Sequence, residues 1–213
     1  MIPRPTFEIV GLVTGQAEFA ANERKPRSNM LNSTFKQQEG NRKFYVLQTM
    51  GSEFPITLTD DLKDAMADGQ IYKLTGEMES VRGGLVLRVR YIDEADEVAY
   101  MTHVPKWEGV GVVSHLEFDT ERDNYTFHLS IPGVALRFYG VPKGKLLEDA
   151  KGQLAKVNGV LATRNNQRTG STSIDTQFGN IEYVDAKDVL KSTSVKTDTK
   201  KVNGTKQPDK QPA

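Results

Sequence analysis

Two stretches of the chain follow one plan, and that repetition restricts the available folds more than any other feature of the sequence. In the first, residues 45–78, the alternation Tyr45-Val46-Leu47-Gln48-Thr49 meets a turn at Gly51 and resumes at Phe54-Pro55-Ile56. Residues 60–67 then read as a short helix with Asp60 as its cap, leading into Gly69-Gln70-Ile71-Tyr72-Lys73-Leu74-Thr75-Gly76-Glu77-Met78. In the second, residues 127–161, the same events recur. Phe127-His128-Leu129 meets a Pro132-Gly133 turn, Leu136-Arg137-Phe138 follows, and residues 145–151 lead to Gly152-Gln153-Leu154-Ala155-Lys156-Val157-Asn158-Gly159-Val160-Leu161. The shared Gly-Gln-apolar-x-Lys-apolar-x-Gly is the most specific agreement. Self-similarity of this kind makes each copy one structural unit.

The correspondence extends outward. Phe7-Glu8-Ile9-Val10-Gly11-Leu12-Val13-Thr14 reads as a strand by its β-branched alternation, and Trp107-Glu108-Gly109-Val110-Gly111-Val112-Val113-Ser114 is its counterpart one hundred positions later. The first copy closes with a hairpin at 79–84 and a strand at 85–92, whose Arg88 and Arg90 share a face. The second closes with a longer hairpin at 163–171 and a strand ending near Asp185. These signals divide the chain into domains at 1–98 and 99–186, with 93–106 as the connection. From 187 to 213 apolar periodicity stops and Lys, Thr, Ser, Gln, Asn and Pro dominate, the composition of a disordered tail.

The 213 residues suffice for two small domains, each burying a modest core. Without cysteine there is no disulfide, thiol nucleophile or cysteine-ligated metal, and the inside of a cell is the default compartment. No apolar run approaches the roughly 20 residues of a membrane helix, and residues 1–5 lack a signal-peptide core. The expected location is cytoplasmic, the host cytoplasm for a phage-encoded chain, with no membrane partner.

Formal net charge is zero, so nothing is held by sheer positive field. The distribution is uneven. Residues 1–100 carry 12 Lys and Arg against 15 Asp and Glu, 101–186 carry 9 against 10, and 187–213 carry 7 against 3. A polar segment at 22–43 holds Arg24, Lys25, Arg27, Lys36, Arg42 and Lys43 against only Glu23 and Glu39. Its equivalent in the second copy, 117–124, is a short hairpin connection.

Catalytic and metal chemistry find little support. His103, His115 and His128 fall in separate predicted elements with no carboxylate at ligand spacing. Asp60, Asp61, Asp64 and Asp68 lack the glycine-centred pattern of a calcium loop. Gly83-Gly84 and Val141-Pro142-Lys143-Gly144-Lys145 lack phosphate-loop spacing and read as turns. No nucleophile elbow stands out. The chain is expected to be neither an enzyme nor the holder of a cofactor.

The order β-β-β-α-β-β in each copy is that of the oligonucleotide/oligosaccharide-binding (OB) barrel, so the expected class is all-β with short helices: two tandem five-stranded Greek-key barrels and a tail. In element order and internal repeat the chain resembles single-stranded DNA-binding proteins with two OB folds on one chain, including divergent phage and plasmid members. One departure is clear. Bacterial members of that group usually end in an acidic tail with a terminal phenylalanine, whereas this chain ends Lys210-Gln211-Pro212-Ala213.

The resemblance implies sequence-tolerant binding and protection of single-stranded DNA, with RNA left open, in replication, recombination or transfer of a phage or plasmid genome. It also implies contacts with replication or recombination proteins. On an OB face, positions apolar in both copies point inward: Tyr45 and Phe127, Leu47 and Leu129, Phe54 and Leu136, Ile56 and Phe138. The interleaved Phe44, Val46, Gln48 and Thr57, and Thr126, His128, Ser130, Arg137 and Tyr139, then point outward. Phe44, His128 and Tyr139 would stack on bases. Arg24, Lys25, Arg27, Lys36, Arg42, Lys43, Arg82, Arg88, Arg90, Arg137, Arg164 and Arg168 would hold phosphates, with Gln48 beside them. Plainer roles stand alongside: Phe44 as core under the long loop, Tyr139 as a barrel cap, Arg88 and Arg90 as a solvated face. The alternative function is a tandem OB-fold interaction subunit or inhibitor that docks on a replication or defence complex.

Overall fold

The computed structural model describes residues 2–19, 42–62, 64–81, 84–166 and 171–187. It is built on ten strands: β1 (Thr6–Phe19), β2 (Arg42–Gln48), β3 (Glu53–Leu58), β4 (Ile71–Val81), β5 (Gly84–Glu94), β6 (Lys106–Asp119), β7 (Asn124–Ile131), β8 (Val134–Pro142), β9 (Leu154–Asn166) and β10 (Ser171–Tyr183). Period-two patterning drives them. Along β7, for example, Tyr125, Phe127, Leu129 and Ile131 are buried and the residues between them are not. All eight positions read as inward are buried.

The connections form a closed circuit in the first half. β1 pairs antiparallel with both β2 and β4, β2 with β3, and β4 with β5, while β3 meets β5 in parallel. The ring β1-β2-β3-β5-β4 is the Greek-key closure of an OB barrel. β6 to β10 repeat the order, with β6 pairing β7 and β9, β7 pairing β8, and β9 pairing β10. β8 and β10 pack together, but no ladder joins them among the described residues.

The shared glycine motif has one structural job in both halves. Gly69 and Gly152 adopt left-handed backbone, φ 79° and 88°, which a side chain resists. The Gly69 N–H donates to the Val13 carbonyl at 2.8 Å and the Gly152 N–H to that of Val113 at 2.7 Å. In return the Val13 and Val113 N–H groups each donate at 3.0 Å to the carbonyls of Gln70 and Gln153. Those valines sit where β1 and β6 carry bulges, so the motif clamps a long strand at the point where it bends. The motif's last glycine lets the next strand pass: a Cβ on Gly76 would lie 2.1 Å from the Arg88 carbonyl oxygen, and one on Gly159 1.8 Å from that of Gln177.

The halves are joined edge to edge. β1 and β6 pair antiparallel, Thr6 with Glu108, Phe7 with Trp107 and Glu8 with Lys106, which continues one sheet through the chain. Trp107 is buried, stacks on Phe138 at 5.6 Å and donates its indole N–H to the Gln177 carbonyl at 3.2 Å. The Glu8 carboxylate meets Lys106 Nζ at 2.9 Å and Lys73 Nζ at 3.2 Å. Partial burial alone would push the Glu8 carboxyl up, but the two ammonium groups together outweigh it and hold the carboxyl below its usual range. A second bridge runs from the Ser80 N–H to the Gly133 carbonyl at 3.1 Å.

Several sequence expectations are corrected. The helix expected at 60–67 is a single 3-10 turn, Asp60–Leu62, followed by turns. Among the described residues of that run, Leu62 and Met66 meet the core, too few apolar contacts to hold a longer helix. The connection instead contains a helix, α1 (Glu97–Thr102), capped by Asp96, whose carboxylate accepts from the Ala99 N–H at 2.7 Å. The hairpins at 79–84 and 163–171 are mostly strand, since Val81 pairs with Gly84 and Asn166 with Ser171. Thr57, read as outward, is buried, because β5 covers the β3 edge there and its hydroxyl donates to the Leu87 carbonyl at 3.1 Å.

Candidate nucleic-acid interface

The outward side of β6, β7 and β8 gathers cationic and aromatic groups for a local reason. The β6 bulge sets two successive residues on the outer face: Ser114 Oγ receives a hydrogen bond from Ser130 Oγ at 2.8 Å, and His115 stands opposite His128. The next register step carries His128 onto Arg137 of β8. One row therefore reads His115, His128, Arg137. The two imidazoles lie 4.6 Å apart and tilted by 35°. Two residues along β8, Tyr139 leaves 70% of its surface in solvent, so it does not cap a barrel end.

The electrostatics of this row are lopsided. Among the described residues no carboxylate lies within ion-pairing distance of Arg137; His115 has Glu117 at 3.5 Å. Desolvation first, and then His115 and Arg137, hold the His128 imidazole below its ordinary pKa. At neutral pH the face thus offers a neutral His128 imidazole with the His115 ring tilted against it, an open phenol ring and one guanidinium with no carboxylate partner among the described residues. Flat π surfaces beside a cation suit unpaired bases on a phosphate backbone.

The other strand arginines are differently placed. Arg88 reaches Glu79 at 2.9 Å and Arg90 reaches Glu77 at 3.0 Å, while Arg4 joins both carboxylates. Arg164 pairs with Asp175 at 3.0 Å across the β9–β10 hairpin. Such cross-strand pairs support a ladder, and their charge is already matched. Gln48 is exposed at the end of β2, opposite Glu53. Arg42, Lys43 and Phe44 belong to β2 by their backbone pairing with Phe19, Glu18 and Ala17, and their side chains lie outside the described residues. Arg24, Lys25, Arg27, Lys36, Arg82 and Arg168 also lie outside them.

Of the expected ligand contacts, the structure brings His128, Arg137 and Tyr139 together and sets Gln48, Arg88, Arg90 and Arg164 apart from them. His115 was missed. In the sequence it falls on what strict alternation after Val113 makes an inward position, and only the bulge turns it out. A wider cleft of about 890 Å³ lies over the β1–β6 join, lined by Glu8, Glu77, Glu108, Arg90 and Lys106 among others. Acids and bases are mixed there, which gives no anion a field to follow.

No protein-family model matches the chain, and no curated protein matches it in sequence. Its fold does have solved counterparts. The wild-type single-stranded DNA-binding protein from Thermus aquaticus superposes with a TM-score of 0.51 at 12% identity, over 86% of this chain and 94% of that one. A deletion mutant of the same protein gives 0.50 at 13% identity, over 86% and 95%. This likeness shows a shared all-β, OB-type fold along almost the whole length of that protein.

Proposed function

We propose that this chain binds and protects single-stranded DNA with little regard to sequence, as two tandem OB barrels at 1–98 and 99–186 followed by a lysine-bearing tail. The observation that carries the reading is the row of His115, His128 and Arg137 with the open ring of Tyr139, on the sheet face by which OB barrels take oligonucleotides. Bases stack on the imidazoles and Tyr139, and Arg137 takes a phosphate. Phe44 and the basic segment at 22–43 extend the path onto the first barrel. Replication, recombination or transfer of a phage or plasmid genome is the setting such an activity serves, and other proteins of that process are its partners.

Fluorescence anisotropy of a labelled single strand of about 30 nucleotides tests the reading, at two salt concentrations and with duplex DNA and RNA as competitors. Binding that prefers the single strand and weakens with salt supports it. A second reading, docking on a protein of a replication or defence complex, is favoured by the exposed Val98, Met101 and Val104 beside the join. Absence of strand binding at low salt would favour that second reading.

A further inference from the structure

Past its bulge, β6 turns Leu116 and Phe118 inward, opposite Phe127 and Tyr125 of β7. With Tyr125, Lys143 and Glu148 they line a hollow of about 340 Å³ at one mouth of the second half. Phe118 is only partly buried, and its ring packs on Tyr125 at 4.8 Å with a 50° tilt. Lys143, on the 3-10 turn Lys143–Lys145, holds its ammonium 5.2 Å from the Phe118 centroid. Lys143 and Glu148 are themselves exposed, so the rim carries one solvent-facing cation and one carboxylate. The sequence alone reads this lysine turn as a plain connection.

We infer that this hollow is a nucleobase subsite, an inference that rests on the single-strand reading above. One unpaired base enters and stacks on Phe118. Lys143 leaves the ring and takes the adjoining phosphate, and Glu148 accepts a hydrogen bond from an exocyclic amino group. The exchange is favourable in direction: a base stack on an aromatic ring outweighs an exposed cation–π contact, and the phosphate re-engages the released ammonium. A carboxylate only accepts, so it suits the exocyclic amino groups of adenine, cytosine and guanine, whereas thymine offers its N3–H between two carbonyl oxygens that repel the carboxylate; the amino-bearing bases are preferred over thymine. Glu148 also repels the backbone, which keeps phosphates on the Lys143 side.

The test uses the full chain, labelled with nitrogen-15 and titrated with dCMP and with dTMP. The expected result is amide shifts clustered at residues 116–118, 125, 143 and 148, larger with dCMP. Anisotropy with labelled oligo-dC and oligo-dT then compares Phe118→Leu, which keeps apolar packing, and Glu148→Ala. Phe118→Leu should weaken both strands by about tenfold, and Glu148→Ala should abolish the preference for dC. If strands bind wild type and Phe118→Leu equally and the mononucleotide shifts lie elsewhere, the subsite is overturned while strand binding stands. If no strand binds but the shifts cluster at Phe118, the hollow is a base site and the strand reading fails. If neither occurs, both are overturned.

Discussion

Phe7 and Trp107 face one another as register partners at the centre of the β1–β6 ladder, both buried, one from each half of the chain. Their neighbours cross over: Thr6 meets Glu108 and Glu8 meets Lys106, so equivalent strands pair about a local twofold through this residue pair. The join is thus built like the self-complementary contact between two identical subunits, within one chain.

Trp107 is the chain's one tryptophan, so its emission reports on the join directly. Trp107→Ala should cost about 3–5 kcal/mol, as removal of a large buried aromatic does. Trp107→Phe keeps the stack on Phe138 and loses the hydrogen bond to Gln177, and should cost much less, on the order of 1–2 kcal/mol. Urea unfolding followed by circular dichroism checks both; equal losses would contradict this assignment.

Gly76→Ala and Gly159→Ala should each destabilise by about 1–3 kcal/mol, because a methyl group there meets a carbonyl oxygen of the neighbouring strand. Gly51→Ala, at a position with open space around it, is the control and should be nearly neutral. Thermal melts of the three variants give the comparison.

Glu8 links stability to pH. Its carboxyl pKa is lowered in the fold, so the unfolded chain binds the proton first as pH falls. The stabilisation is complete above the ordinary carboxylate range, about 4.3, and disappears as pH drops through the lowered folded value. The stability difference between wild type and Glu8→Gln should therefore be present at neutral pH and shrink toward zero in acid. A difference that does not change with pH would mean that the Lys73 and Lys106 contacts contribute nothing through charge.

Much of this was legible before any coordinates, and the failures have identifiable causes. Alternation sorted Tyr45, Leu47, Phe127 and Leu129 to the core because a strand's period is two and each lies on an unbroken run. It failed at His115, where a bulge shifts the period, and at Thr57, where closure of the barrel covers a polar residue. The partners of Arg88 and Arg90 were hidden because β4 and β5 are offset by an irregularity at Thr75 and Gly76. The β1–β6 ladder left no trace in either copy, since a strand edge that pairs with another unit reads like one that does not.

His128 should couple binding to pH. Burial, His115 and Arg137 hold its pKa below the ordinary value, so the free protein leaves it neutral at pH 7. Between the ordinary value, about 6.5, and the lowered one, the unfolded chain carries more protons and stability falls as pH falls. A phosphate on this face favours the charged imidazole, so affinity for a single strand should rise as pH goes from about 7.5 to 5.5. Anisotropy at constant ionic strength reads the slope, which His128→Gln should flatten.

The most direct test of the central claim compares wild type with Tyr139→Ala and Arg137→Gln for binding of one labelled single strand across a salt series. Tyr139→Ala should lose about 1–3 kcal/mol of affinity with the salt dependence unchanged, as removal of one stack does. Arg137→Gln should instead make the slope of log K against log salt shallower by roughly 0.7, one phosphate contact on a single strand. If both variants bind as wild type does, at every salt concentration, the outer face of β7 and β8 is not where the strand lies.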